Sequence, residues 1–434
     1  MVVKMWKDDP QFTYRNSKAD HDMRVARLVP PDAVADAATR DAFLIRATRQ
    51  LNSQYEADIG IISGSGGLFP LGILQCLASS ANDPAIPADV AKRSREAVTA
   101  FGNHVLQSAM VDPLDGGVYS VRLGKTWDLP MSHRTCMTQA RAARALVSLH
   151  ASTGDARSLE VAIGAVKFAE DQFATPDGLF SNQRQPTPDR QREFMWTREQ
   201  LEAALTPQEF ALWKALCGVQ DLGNLATEAD PTREFFRLNT LSMRLPLAEA
   251  AAKAKVDAAQ APALLESGRK KLLDARLARL PLPPPVTVGA ASPSFRMVSA
   301  YVALFTATGE PAWRDKALAL AKRARETFSN DNLLIELGPP VPEAVRDARA
   351  FTYALAIQAA LDLAEVTLDE NWRLWAGDLV TVVAEQFTEK DTGRLLEARP
   401  ASTPLTLPLV DRTMLFDDST AGLMRMNTAR LEAL

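Results

Sequence analysis

The chain of 434 residues is poor in cysteine, in histidine and in long apolar runs, and each shortage removes a class of function. Cys76, Cys136 and Cys217 are far apart, and no Cys-x-x-Cys occurs. Neither a zinc site nor a thioredoxin-type redox pair is written into such a pattern. An odd number of scattered thiols also makes a poor disulfide framework. No apolar stretch reaches the roughly 18 residues that a membrane helix needs. Residues 1–10 carry Lys4, Lys7, Asp8 and Asp9 in place of the apolar run of an export signal. A cytoplasmic location without a membrane partner is the expectation. Net charge is −4 and no Lys/Arg run occurs; Lys270 and Lys271 sit among acids in a helical stretch. Nothing there makes an electrostatic footprint for nucleic acid.

Nucleotide and nucleophile motifs are missing as well. Gly64-Ser65-Gly66-Gly67 is not followed by Gly-Lys-Ser/Thr, so it is not a phosphate loop. There is no Gly-x-Ser-x-Gly and no oxygen-rich metal loop, and no cofactor or metal is expected.

What is present is a globular composition, 47% hydrophobic and 24% charged, in a long succession of helical patterns. Residues 1–33 read as a polar N-terminal arm ending at Pro30-Pro31. Residues 34–434 read as one domain. Apolar spacing of three and four predicts helices over 32–55, 71–80, 87–110, 132–152 and 156–173. Short helices follow over 197–205 and 207–216, with Thr197 and Gln200 in the form of a capping box. A charged helix over 262–280 ends at Leu282-Pro283-Pro284-Pro285. Further helices are predicted over 295–308, 312–328, 344–368, 371–387 and 419–434. The pair boundaries look alike: Thr153-Gly154-Asp155, Thr308-Gly309-Glu310-Pro311 and Leu368-Asp369-Glu370-Asn371. Helical hairpins repeated in this way build an open solenoid or a closed ring. The long irregular connections favour the ring, in which such loops gather at one end and form a pocket.

Five segments, in order, resemble one family. They are Gly66-Gly67-Leu68-Phe69-Pro70; Asp115-Gly116-Gly117-Val118-Tyr119 through Trp127-Asp128-Leu129-Pro130; Phe194-Met195-Trp196-Thr197-Arg198-Glu199-Gln200-Leu201; Gly218-Val219 with Gly223-Asn224; and Tyr353 with Leu361-Asp362-Leu363. Together they resemble the helical C-terminal region of the thioredoxin-domain proteins related to spermatogenesis-associated protein 20, including the bacterial YyaL type, over about residues 40–434. The resemblance implies an all-α fold, the six-hairpin (α/α)6 toroid shared with 2-epimerases and many glycosidases. It also implies departures. Polar positions of the family read Met131, His133, Thr138 and Thr352 here. Ser292-Pro293-Ser294-Phe295 and Ser419-Thr420-Ala421-Gly422 replace two more of its polar segments.

Two functional readings follow. The first is a carbohydrate-related domain that binds a sugar-like small molecule in the funnel. Its catalytic candidates are His133, Arg134 and Asp115, and its substrate-binding candidates are Tyr119, Trp127, Trp196, Gln139 and Tyr353. Aromatic faces can stack on sugar rings, while a carboxylate with a basic neighbour can move a proton. The two-histidine epimerisation known in that superfamily is disfavoured, because the four histidines are His21, His104, His133 and His150 and only His133 lies by a pocket loop. The second reading is a non-catalytic scaffold for a protein partner, motivated by the replaced polar positions. The first predicts converging polar groups in the funnel with at least one acid of displaced pKa. The second predicts a funnel plugged by Phe295 and Met131 and an apolar patch outside.

Overall fold

The computed structural model describes residues 37–56, 60–62, 67–184, 191–338, 346–390, 393–399 and 418–434, with single positions among residues 7–18 and at Val341. The expected arm falls almost wholly outside these residues, as do Gly64 and Gly66.

The predicted hairpins form where Ala/Leu-rich stretches meet a residue that can turn left-handed. Helix α1 is Ala37–Ser53, α2 Leu71–Ser80, α3 Ala88–Leu106, α4 Cys136–Thr153 and α5 Ala156–Phe173. The middle of the chain holds α6 (Arg198–Ala204), α7 (Pro207–Cys217), α8 (Leu247–Ala254) and α9 (Ala261–Arg279). Then come α10 (Ala291–Thr308), α11 (Pro311–Phe328), α12 (Ala350–Thr367), α13 (Glu370–Gln386) and α14 (Thr420–Ala433). Gly154 ends α4 at φ 74° and Gly309 ends α10 at φ 70°, where a side chain would be strained. Asp155 then caps α5 by accepting the Arg157 N–H, and Asp369 caps α13 by accepting the Asn371 N–H. At the third boundary a leucine, Leu368, takes the left-handed position at φ 55°.

Five of the described helices form a ring. Helix α4 packs on α2 and on α10; α10 packs on α12, and α12 on α14. Each of the first four is followed by a partner on its outer side: α3, α5, α11 and α13. Asp418, just before α14, closes the circuit: it pairs with Arg141 of α4 at 2.9 Å and Arg296 of α10 at 2.8 Å. Its carboxylate also lies 3.6 Å from where a side chain on Gly72 of α2 would stand. The molecule is thus an all-α toroid. Its inner helices are apolar nearly all round, as helices walled on both sides must be; Phe295 of α10 packs on Trp375 of α13 with ring centres 5.9 Å apart.

The connections are unequal. Those from an inner helix to its outer partner are short: 81–87, 154–155, 309–310 and 368–369. Those from an outer helix back to the next inner one are long: 107–135, 174–290, 329–349 and 387–419. All the long segments therefore lie at the N-terminal end of the inner helices. Positive helix-dipole ends gather there as well.

The segment 174–290 adds no wall to the ring, since α4 touches α10 directly. Its helices α6 to α9 instead bury a separate core of Trp196, Leu201, Leu212, Trp213, Leu216 and Leu272. Helix α8 went unpredicted, because its eight residues span only about two turns, too few for an apolar period to stand out. Helix α10 begins four residues earlier than the spacing suggests, with Pro293 in the first turn, where no N–H is needed. Among the described residues the strands are two hairpins of two-residue arms, β1 (Tyr55–Glu56) with β2 (Ile61–Ile62) and β3 (Ser329–Asn330) with β4 (Leu333–Leu334).

Candidate functional site

The inner helices carry few charges, and most of those face one another around the axis. Arg141 and Arg144 sit one turn apart on α4. Arg296 on α10 is 2% exposed; Gln358 and Asp362 lie on α12; Asp418 precedes α14 and Arg430 ends it. Arg430 donates to Asp362 at 2.7 Å and to Glu365 at 2.8 Å. Arg296 donates to Gln358 at 3.4 Å. Burial pushes the Asp418 carboxyl up, but Arg296 and Arg141 outweigh it and hold it below its ordinary value.

A second carboxyl stands at the long-loop mouth. Glu336, from the loop after β4, accepts the Ser292 hydroxyl at 2.8 Å and the Thr352 hydroxyl at 2.6 Å. Burial raises its pKa above the ordinary glutamate value, against the pull of these hydroxyls and of Arg349. Ser292 and Arg296 are one turn apart on α10, so Glu336 and Asp418 meet the same helix on successive turns. One acid is biased toward its neutral form and the other toward its charged form.

The sequence candidates fall in other places. Asp115 and Arg134 form a two-point pair, at 2.7 and 3.0 Å. Asp115 also takes Arg276 of α9 at 2.7 Å. Asp112, behind them, accepts the Tyr119 hydroxyl at 2.8 Å and Arg276 at 2.5 Å. Burial pushes Asp112 up, but Arg276 and Arg134 more than reverse this and hold it at about 2. The Arg134 guanidinium stacks on Phe168 of the outer helix α5, 4.1 Å from the ring centre. This network clasps the middle segment to the ring, and the glycines expected in a turn make room for it: a side chain on Gly117 would stand 2.7 Å from Arg134 and 2.8 Å from Phe168. His133 is exposed beside the clasp. Gln139 holds the 111–118 loop to α4, accepting the Val118 N–H at 2.8 Å and donating to its carbonyl at 2.7 Å.

Of the aromatic candidates, Trp127 lies edge-on to Phe69 and Phe101, and Tyr353 packs on Phe387; both are buried in the main core. Tyr119 and Trp196 are brought together, with Phe194, Asp112 and Arg276, around a cavity of about 30 Å³. Such a space holds about two waters, too little for a sugar ring. Met131 is 39% exposed, and Phe295 packs on Trp375 of α13.

The axial charges were missed because each looks unremarkable alone. The available signal was position: Arg141, Arg144 and Arg296 interrupt helices that are otherwise apolar or small on every side. A solvated face would carry its charges on one stripe.

No family model matches the chain. It is similar to spermatogenesis-associated protein 20 of Homo sapiens, 23% identical over an alignment of 313 residues, with 65% of this chain and 39% of that protein covered. The chain thus spans about two fifths of that relative's length. Among solved structures it is similar to a family 76 glycoside hydrolase (mannosidase) from Bacteroides thetaiotaomicron, with TM-score 0.46, 9% identity and 91% and 82% of the two chains covered. It is similar also to the cellobiose 2-epimerase of Spirochaeta thermophila, with TM-score 0.41, 13% identity and coverage of 93% and 99%.

Proposed function

We propose that this is a carbohydrate-related domain that binds a sugar-like small molecule at the long-loop end of the toroid. The observation that carries the reading is the polar axis: charged and amide groups converge inside a ring whose walls are otherwise apolar. A scaffold has no need to bury such groups, which are costly to desolvate. A polyhydroxylated ligand makes use of them, since each hydroxyl both donates and accepts. Glu336 and Asp418, one neutral-biased and one charged, are the pair through which any proton transfer would run. His133 at the rim is the remaining sequence candidate with a free approach. Asp115 and Arg134 serve the reading as positioning groups for the mouth loop, since guanidinium groups and the Gly117 N–H occupy the Asp115 carboxylate.

The test is a thermal-shift screen against neutral mono- and disaccharides, with Glu336→Gln, Asp418→Asn and His133→Ala alongside. A saturable rise in melting temperature that Glu336→Gln or Asp418→Asn removes is expected. A rise lost only in His133→Ala would move the site to the rim. No rise with any sugar would sink the reading and turn the search to protein partners.

A further inference from the structure

Among the described residues the charges on the axis do not balance: four guanidinium groups, of Arg141, Arg144, Arg296 and Arg430, face three carboxylates, of Asp362, Asp418 and Glu365. Three of the arginines are accounted for by these ion pairs. Arg144 is the one left over: among the described residues its guanidinium makes no hydrogen bond and no ion pair, although it is mostly buried and within electrostatic range of Asp362, Asp418, Arg296 and Arg430. A mostly buried cation without a contact partner is expensive to keep, so its surplus charge is a feature to be explained. Burial indeed presses its pKa below the ordinary guanidinium value, and Asp362 recovers only part of that.

Other groups around the ring are half-satisfied too. Asp362 is 6% exposed and gives one oxygen to Arg430, but its other oxygen has no partner. Asn427 of α14 is 0% exposed; its amide donates to the Ala354 carbonyl at 2.8 Å, while its own oxygen is unpaired. The Ser299 hydroxyl of α10, 1% exposed, is unpaired as well. The inner helices thus hold one uncompensated cation together with two acceptors and a hydroxyl that lack donors. The N-termini of all five inner helices add positive potential from the mouth side.

We propose that the axis is an anion subsite, in which Arg144, flanked by Arg141 and Arg296, receives a carboxylate or phosphate carried by the ligand. This rests on the sugar-binding reading and narrows it: the substrate class is an acidic sugar, a uronate or a sugar phosphate. The planar guanidinium fork suits either anion, with two parallel N–H···O bonds. A neutral sugar would leave Arg144 as it stands.

The test is isothermal titration of the full chain with neutral hexoses, their uronates, their 6-phosphates and inorganic phosphate, on wild type, Arg144→Gln and Arg144→Lys. One uncompensated guanidinium predicts that one anionic series binds about ten-fold tighter or more than the neutral sugars. Which series does so separates a carboxylate from a phosphate ligand. Arg144→Gln should erase that preference; Arg144→Lys should keep part of it. The ligand-free Arg144→Gln protein should melt no lower than wild type, because no contact is lost. Equal binding of neutral and anionic sugars overturns the inference but leaves the sugar reading standing. So does a preference that survives Arg144→Gln, or a melting temperature that Arg144→Gln lowers by many degrees. Binding of inorganic phosphate alone, dependent on Arg144, keeps the subsite and overturns the sugar reading. No binding in any series overturns both.

Discussion

At the scale of single residues, the environment of a carboxyl decides its use, and two carboxyls of this molecule show it. Glu336 is held above its ordinary pKa, so its contribution to stability is complete below the unfolded value and is lost as pH rises through the folded one. Glu336→Gln, which cannot ionise, is therefore expected to melt above wild type at neutral pH, and the gap should close as pH falls below the usual carboxylate range. Melting curves over that range check it; a variant less stable at every pH would mean that the Ser292 and Thr352 hydrogen bonds outweigh the buried charge. Asp112 behaves oppositely. Its pKa falls from 3.8 to about 2, so the stability it confers is present above 3.8 and lost as pH drops toward 2, about 2 kcal/mol in all. Arg276→Met removes the nearer counter-charge of a buried pair and is expected to cost about 3 kcal/mol at neutral pH. Urea unfolding should also show that the variant has lost most of the wild-type pH dependence in that window.

At the scale of elements, the hairpin boundaries were legible because turn chemistry is local. Thr-Gly-Asp and Thr-Gly-Glu-Pro place glycine where the chain must turn left-handed, and an N-cap or an N1 proline follows at once. Leu368 occupies the same position at φ 55° and is 89% exposed. Leu368→Gly relieves that backbone strain and exposes less apolar surface, so it is expected to stabilise the protein by about 1 kcal/mol. An unchanged or lower urea midpoint would count against this account of the boundary. Inside the ring, Phe295 has no exposed surface and packs on Trp375. Phe295→Ala should cost about 3–5 kcal/mol, the usual range for a large buried aromatic. Helix ends drifted by several residues because the long mouth segments carry polar and proline residues that give no sharp periodic signal. The predicted start of α12 at residue 344 is the clearest case: the helix opens at Ala350.

At the scale of the whole molecule, one aspartate joins the two ends of the ring. Asp418 couples the start of α14 to Arg141 and Arg296, two helices that are hundreds of residues and more than a hundred residues earlier in the chain. Asp418→Asn removes the carboxylate shared by Arg141 and Arg296 and is expected to cost about 3 kcal/mol. Because the folded pKa of Asp418 is depressed, the wild-type advantage over Asp418→Asn should be full above the ordinary aspartate value and shrink as pH falls below it. Denaturation at neutral and acid pH measures both. If the loss is equal at both pH values, Asp418 is held by hydrogen bonds rather than by charge.

What the sequence determined by itself was the class of the fold, its repeated unit and several exclusions. Helical spacing, glycine caps and the absence of paired cysteines, basic runs or nucleotide loops are all local statements, and local chemistry writes them legibly. Tertiary structure decided which charges share a space. Arg144 and Asp362 are separated by more than two hundred residues, and Glu336 reaches Ser292 and Thr352 from a loop whose path no periodicity reveals. Asp115 and Arg134, adjacent in sequence logic to a pocket, spend their charges on each other and on Arg276 from α9. The physical reason is that a ring closes through contacts remote in sequence, and electrostatic balance on its axis exists only once the circle is complete.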